Sequence, residues 1–234
     1  MRKGCTVANF LSSFGKSLID PNLTDAAIEV VESSLDDILD CPAVDDIPAL
    51  RSIIGIGKTM VGIRERNLLR QTSQFITTFN AGTIPEEDLN RYQSEMLSDP
   101  KKIQNELERV LLLLDATLDV EKSELLARFY RAYVMRAITW ETFRELSEVI
   151  NQLVPEDLGA LEQIASGTAK TTEECAAHRA WRLSALGLVI VTTETYVYPG
   201  KAGNQYLVEL SDLGRTFHLY SHDVTEEGKH TSSR

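Results

Sequence analysis

Cysteine is scarce in this chain of 234 residues. Cys5, Cys41 and Cys175 lie far apart in the sequence, and no CxxC pair occurs. A disulfide framework in a small secreted domain needs more cysteines at short, regular spacings. The sequence therefore excludes that class, and we expect a protein of the reducing cytoplasm.

Long hydrophobic runs are also missing. The aliphatic run Val110–Leu114 is short, whereas a transmembrane helix needs about 20 apolar residues. After Arg2 and Lys3, the apolar stretch Val7–Leu11 is interrupted by Asn9 and is too short for the hydrophobic part of a secretory signal. We therefore predict neither a membrane span nor a signal peptide.

Positive charge is in deficit. The chain has 24 Lys and Arg against 35 Asp and Glu, which gives a formal net charge of −11. Hydrophobic residues at 43% and charged residues at 25% are typical of a globular protein. The acidic balance argues against broad nucleic-acid binding through a basic surface, although it leaves room for a local site.

The sequence shows no recognisable catalytic arrangement of Ser-His-Asp, Cys-His or HExxH type. His218 and His222 are four apart on one predicted helix face, which suits metal ligation, and Cys175 and His178 are three apart. A shared zinc site is one interpretation, and exposed histidines, with His230, are the other. Without a CxxC or HExxH frame we favour the second. We predict no catalytic residues, no metal, no cofactor and no enzymatic activity.

The stretch Ile47–Phe79 is the longest amphipathic run of the chain. On a helical wheel, the apolar residues of Ile47–Ile63 cover about half the circle, and small residues form a stripe on the other side. Small residues at this spacing let a neighbouring helix approach closely. The stripe consists of Ser52, Gly55, Thr59 and Gly62.

Two interpretations of this helix are open. We favour a buried hairpin helix, because wide apolar faces in soluble chains mostly pack in the core. The alternative is a helix that lies on a membrane surface, with Arg51 and Lys58 flanking its apolar face.

Gly55–Thr59 resembles the end of a phosphate-binding loop. The complete motif needs a glycine where Ser52 stands, and it needs a buried strand before the loop. Neither is present, so we do not predict a nucleotide site. Beyond Gly62 the apolar pattern continues with a rotated face, on which Glu65 lies. Because an unpaired buried charge is costly, we predict that Glu65 has an arginine or a backbone N–H as its partner, and we favour a salt bridge at the start of a helix over a functional role.

Side-chain caps mark further helices in the first two thirds of the chain. After an N-terminal segment over residues 1–20, they predict an all-helical bundle over residues 21–154. The predicted caps are Thr24 for a helix through Leu39, Thr83 in a Thr-x-x-Glu capping box, Asp99 before Pro100, and Thr139.

The pattern changes after Pro155. Thr172 is predicted to cap a helix over Glu173–Leu186, and Ser211 a helix over Asp212–Tyr220. Between them lie β-rich segments on both sides of a turn at residues 199–204. These elements predict a small α+β domain over residues 155–224, followed by a polar, disordered tail over residues 225–234.

Short helices, a hairpin and a closing helix resemble a winged-helix domain. Arg182–Leu188, at the end of the would-be recognition helix, and Tyr206–Phe217, over the wing strand and closing helix, carry this resemblance. It covers about the last third of the chain. Together with the helical bundle predicted over residues 21–154, it gives the expected fold class, which is mainly α, with a helical bundle followed by a small α+β winged-helix-like domain.

The N-terminal two thirds resemble an uncharacterised bacterial family. Asp46–Leu50, Gly62–Leu69, Leu126–Tyr133 and Ile138–Phe143 carry the resemblance, with Arg-Glu-Arg at Arg64–Arg66 where Arg-Asp-Arg is expected. It implies no catalytic residues. The bacterial appearance suggests an accessory role in a stress or phage-defence system.

The winged-helix resemblance raises the question of nucleic-acid binding. The candidate contacts are His178, Arg179, Trp181 and Arg182 on the predicted recognition helix, and Lys201 in the wing. From residue 161 onward, seven Lys and Arg face nine Asp and Glu, which leaves a net charge of −2. A DNA-binding domain usually has a basic footprint. We therefore favour a non-enzymatic interaction or adaptor protein that binds a protein partner through this domain.

Two alternatives stay open. One is a DNA-binding transcriptional regulator that uses the winged helix, although Glu173 and Glu174 at the start of the predicted recognition helix would face phosphates. The other is an effector that binds a membrane surface through residues 47–63. The sequence also leaves the oligomeric state open.

Overall fold

Twelve α-helices and one antiparallel pair of strands make up the residues that this computed structural model describes, namely 3–56, 62–198 and 201–222. The mainly helical fold predicted from the apolar periodicity is confirmed. The chain separates into two units, Met1–Phe143 and Arg144–Arg234. No helix in the described part is long and apolar enough to cross a bilayer.

The first unit is helical throughout its described residues. A 3-10 turn at Pro21–Leu23 lies between the first two helices. The helices are α1 (Lys3–Leu18), α2 (Thr24–Glu32), α3 (Ala43–Asp46), α4 (Pro48–Ile56), α5 (Ile63–Ala81), α6 (Glu86–Ser98), α7 (Pro100–Ala116) and α8 (Val120–Val134).

The core of the first unit centres on a cluster of aromatic rings from α5, α6 and α8. The fully buried Tyr130 has its ring centroid 6.0 Å from those of both Phe75 and Phe79. Its hydroxyl shares a hydrogen bond of 2.7 Å with that of Tyr92. Aromatic pairs at this spacing stabilise a core beyond their buried area, and the bond satisfies two buried hydroxyls.

Polar side chains also join α5 to α8. The Ser123 hydroxyl donates to Gln71 Oε1 at 2.6 Å, and Arg131 Nη1 donates to the carbonyl of Thr78 at 2.8 Å. All four residues are buried. Because a buried polar group without a partner is costly, these bonds favour one register of α5 against α8.

The helix α9 (Trp140–Gln152) contains the division between the units. We predicted a boundary after Val154, whereas the structure divides after Phe143. The ring of Phe143 lies 5.4 Å from that of Tyr130 and so belongs to the first core. The second unit continues with a 3-10 turn at Pro155–Asp157, α10 (Leu158–Ala165), α11 (Ala177–Ala185), β1 (Val189–Tyr198), β2 (Lys201–Leu210) and α12 (Asp212–Ser221).

The two strands form a hairpin in which Val189 lies opposite Leu210. Both of these side chains are buried, as is Val208. Thr171 adds an isolated bridge to Leu207 on the free edge of β2. The chain before α11 is thus tied to the hairpin.

Three predicted caps are confirmed. Asp99 Oδ1 accepts the backbone N–H of Lys102 at 3.1 Å at the start of α7. Thr139 Oγ1 accepts the N–H of Thr142 at 3.1 Å before α9. Ser211 Oγ accepts the N–H of Gly214 at 2.9 Å before α12.

Three other helix predictions are wrong in their boundaries. The helix predicted to run from Thr24 to Leu39 ends at Glu32. Just after this end, Ser33 Oγ donates to the carbonyl of Glu29 at 3.0 Å. Serine side chains that hydrogen-bond the nearby backbone compete with the backbone hydrogen bonds of a helix. At Thr83 no capping box forms, because α6 begins only at Glu86.

The third wrong boundary is at Thr172. Helix α11 begins at Ala177, four residues later than predicted, because the Thr172 N–H donates to the carbonyl of Tyr206 at 3.0 Å. This bond adds the segment to the edge of β2. The pattern of local side chains contains no information about that long-range pairing.

The central stretch is not one helix. Gly62 is extended, with φ −79° and ψ −179°, and α5 starts afresh at Ile63. The predicted continuous helix over Ile47–Ile63 is therefore wrong at its end. Residues 57–61, which contain most of the phosphate-loop-like segment, lie outside the described residues. The core interpretation of the first part is confirmed, because Ile47, Ala49, Leu50 and Ile53 are all buried.

Candidate functional site

Helix α11 carries four of the five residues predicted to contact nucleic acid. Ala180 and Leu183 are fully buried on its inner side, whereas His178 and Trp181 are exposed. The fifth residue, Lys201, pairs with Tyr198 at the tip of the hairpin, and its side chain lies outside the described part.

Arg182 is held by a buried carboxylate rather than left free. Its Nε donates to Asp157 Oδ2 at 2.7 Å and its Nη2 to Asp157 Oδ1 at 2.5 Å. Asp157 is fully buried in the 3-10 turn before α10. Hydrogen bonding to Asp157 raises the pKa of Arg182. Paired geometry of this kind is the strongest form of Arg–carboxylate contact.

Arg179 is bound to the same turn. Its Nη1 donates to the carbonyl of Glu156 at 3.0 Å, and its Nε lies 3.8 Å from Asp157 Oδ1. Both arginines of the predicted recognition helix therefore position α11 on the turn at Pro155–Asp157. Their cations are engaged within the unit.

Trp181 and Tyr206 form an aromatic pair in which Trp181 is exposed and Tyr206 is half-buried. Their ring centroids lie 5.6 Å apart in an edge-to-face arrangement, and Trp181 is 48% exposed. The pairing register places Tyr206 on the same face of the hairpin as Val197, which is 77% exposed. We call Trp181, Tyr206 and Val197 the aromatic–wing surface.

Glu174 is a structural acceptor. Its Oε2 accepts the backbone N–H groups of Lys170 and Thr171 at 2.7 and 3.0 Å, and these bonds lower the pKa of Glu174. Cys175 is buried, and its thiol donates to the carbonyl of Thr171 at 3.5 Å. Burial raises the pKa of this thiol. Among the described residues, Cys175 and His178 do not belong to a group with metal-ligand spacing.

The other histidine pair has a carboxylate beside it. His218 Nε2 lies 2.8 Å from Glu162 Oε2, and His222 Nε2 lies 3.8 Å from the same oxygen. Within the described residues, these three form the one group with metal-ligand geometry. The sequence indicated the histidine spacing but not Glu162, which lies 56 residues earlier on another helix.

The predicted stripe of small residues does not continue to Gly62, which lies outside both α4 and α5. The Ser52 hydroxyl donates to the carbonyl of Pro48 in its own helix at 2.8 Å. Gly62 is exposed, and its N–H donates to Glu65 Oε2 at 2.9 Å. Glu65 is thus paired at the start of α5 with a backbone N–H, which is one of the two kinds of partner predicted for it, rather than with an arginine. Of the other two, only the helical backbone of Gly55 is described, and Thr59 lies outside the described residues.

The first unit contains a polar cavity of about 270 Å³ that the sequence did not indicate. Arg136 Nη2 donates to Glu95 Oε1 at 2.7 Å across it. Partial burial acts in the opposite direction, but the bonds from Arg136 and Lys102 lower the pKa of Glu95. Beside the cavity, Tyr133 donates to the buried Glu106 at 2.8 Å, and burial raises the pKa of Glu106. These groups form internal pairs and present no assembled nucleophile and base.

Comparison of the chain with protein-family models gave no match, and comparisons with curated proteins and with solved structures gave none either.

Proposed function

We propose that this chain is a non-enzymatic interaction protein whose second unit, a winged-helix-like module, binds a protein partner through the aromatic–wing surface. The order of elements supports the winged-helix interpretation. Two helices, α9 and α10, precede a short strand pairing at Thr171, then α11 and the β1–β2 hairpin follow. In such a module α11 occupies the position of the recognition helix.

The observation that carries the proposal is the use of the two arginines of α11. Arg179 and Arg182 are bound to Asp157 and its turn, so the helix offers few free cations to a phosphate backbone. The exposed aromatic side chain of the helix is Trp181, which packs against Tyr206 of β2. Exposed tryptophan and tyrosine side chains are enriched at the energetic centres of protein interfaces.

The experiment compares partner capture by the wild type and by two variants. Purified full-length chain is immobilised and exposed to a lysate of its native cells, and retained proteins are identified by mass spectrometry. Trp181→Ala is expected to lose a partner that the wild type retains, with a loss of binding free energy of about 2 kcal/mol or more if Trp181 is central. The control, Leu219→Ala, removes another exposed apolar side chain, on α12, and should leave binding unchanged.

Two further assays address the alternatives. Salt-sensitive binding to duplex DNA that is lost with Lys201→Ala would contradict the proposal and favour a DNA-binding regulator. Sedimentation with anionic vesicles that is lost with Arg51→Glu and Lys58→Glu together would favour the membrane-surface effector. A place in a stress or phage-defence system stays a prediction from the sequence.

A further inference from the structure

We propose that Glu162, His218 and His222 form a binding site for one divalent transition-metal ion of the zinc class, which ties the end of α12 to α10. This site is separate from the aromatic–wing surface and does not rest on the function proposed for it. Its ligand atoms are one carboxylate oxygen and one nitrogen from each of two imidazoles, all within 4.8 Å of one another.

The distances suit a tetrahedral ion. Zn²⁺ binds nitrogen and oxygen at about 2.0–2.2 Å, which places neighbouring donor atoms about 3.4 Å apart. The distances from Glu162 Oε2 to the two Nε2 atoms, 2.8 Å and 3.8 Å, lie on either side of that value. Bringing these two distances to that value needs changes of about 0.4–0.6 Å.

The orientation of His222 is an independent indication. Its Nδ1 lies 3.3 Å from the carbonyl oxygen of His218 and 3.1 Å from the hydroxyl of Ser221. An Nδ1–H that donates to a backbone carbonyl fixes the tautomer in which Nε2 carries the free lone pair. That Nε2 faces Glu162. Histidines that bind metals typically donate their other ring N–H to a carbonyl or carboxylate in this way.

The ligand set selects the class of metal. Two imidazoles, one in the last turn of α12 and one at its C-cap, together with one carboxylate suit Zn²⁺ and its neighbours in the first transition row. Mg²⁺ and Ca²⁺ prefer shells of oxygen alone. The side chains of Glu162, His218 and His222 are 53%, 33% and 64% exposed, so the remaining coordination positions face solvent and take water.

Metal binding here has a mechanical consequence. Glu162 belongs to α10, His218 to the last turn of α12, and His222 is the C-cap residue just after that helix, so the ion joins two elements that are distant in sequence. The ligands are brought together only in the folded unit. Binding therefore stabilises that unit in proportion to the logarithm of the free metal concentration.

The test uses the full-length chain without any polyhistidine tag, stripped of metal with a chelator. ZnCl₂ is titrated by calorimetry, and Co²⁺ is added separately to record its visible absorption, which is intense only in tetrahedral coordination. We expect one Zn²⁺ per chain, a tetrahedral Co²⁺ spectrum and a higher melting temperature with Zn²⁺. Glu162→Gln and His222→Ala should each weaken Zn²⁺ binding by roughly 100-fold. Each variant removes a ligand, and even the loss of a residue that only supports a ligand typically lowers metal affinity about 10–100-fold.

A histidine outside the cluster serves as the control, and Glu162→Gln is the decisive comparison. His178→Ala removes a histidine that is not part of the cluster and should leave the affinity unchanged. Glu162→Gln separates a three-ligand site from a bare histidine pair, because unchanged Zn²⁺ affinity in this variant would overturn the link between α10 and α12. Affinity lost with His230→Ala but kept with His222→Ala would also overturn the assignment. Since the cluster side chains are largely exposed, far-UV circular dichroism of each variant should match the wild type.

Discussion

A Cβ atom added at Gly214 would lie 1.9 Å from the backbone carbonyl oxygen of Leu188. That oxygen cannot rotate away as a side chain could, because it accepts the N–H of Ser211 at 3.0 Å. Gly214→Ala is therefore expected to push α12 away from the start of β1 and to destabilise the second unit by about 1–3 kcal/mol, as overpacked cores do.

Gly159→Ala is the matched control, since Gly159 also lies in a helix of the second unit and a Cβ there meets nothing within 4 Å among the described residues. This variant should be neutral or more stable by about 0.5–1 kcal/mol, because alanine loses less backbone entropy on folding. Urea denaturation of both variants gives the comparison. Equal stability of Gly214→Ala and wild type would show that the close approach at Leu188 is absent in solution.

Single residues also show where sequence reasoning reached its limit. The spacing of His218 and His222 was visible in the sequence, but their carboxylate partner was not. In the same way, Arg179 and Arg182 were predicted as surface contacts because nothing local indicated that Asp157 would be buried beneath them. Helical spacing predicts which face a residue occupies, but the identity of its partner from a distant segment depends on tertiary packing.

At the scale of elements, the cap that forms at the start of α7 can be compared with the predicted cap of α6, which does not form. Asp99 Oδ1 caps α7, whereas Thr83 lies three residues before the first residue of α6. Asp99→Ala is expected to cost about 1 kcal/mol, the usual effect of losing an N-cap. Thr83→Ala should cost much less.

The measurement is the midpoint of thermal unfolding for the two variants, prepared side by side. An equal loss in both would mean that Thr83 does cap a helix, as the sequence suggested. A loss in neither would mean that the Asp99 cap is replaced by water at no cost.

The elements that the sequence predicted well are those set by short-range chemistry. Caps at Asp99, Thr139 and Ser211 use a side chain and an N–H three residues later, so the local pattern contains the full information. The start of α11 was missed because Thr172 pairs with β2 instead of capping a helix. The break at Gly62 was missed because apolar periodicity continued through it while the backbone did not.

At the scale of the whole molecule, two carboxylates give stability opposite dependences on pH. Burial raises the pKa of Glu106 above the ordinary value of 4.5. Its folded state therefore holds a proton more tightly than the unfolded state. The resulting stability is fully present below about pH 4.5 and is lost as the pH rises through the raised pKa. Glu106→Gln cannot titrate, so relative to this variant the wild type should lose stability from pH 4 to pH 7.

Glu174 is the control with the opposite sign. Backbone hydrogen bonds from Lys170 and Thr171 lower the pKa of Glu174 below 4.5. Its contribution is present above the unfolded value and is lost as the pH falls through the lowered one. Relative to Glu174→Gln, the wild type should lose stability below about pH 4.5. Urea denaturation between pH 3.5 and pH 7 measures the difference in unfolding free energy between the wild type and each variant. These assignments would be contradicted if the two differences changed in the same direction with pH.

Each of the two units contains one tryptophan, so the intrinsic fluorescence of the chain can report on each unit separately. Trp140 stacks on Phe143 at 5.0 Å in the first unit, whereas Trp181 meets Tyr206 in the second. With no other tryptophan in the sequence, Trp181→Phe leaves fluorescence that reports only on the first unit, and Trp140→Phe leaves fluorescence that reports only on the second. Emission recorded during unfolding of these two variants reveals whether the units melt together or one after the other.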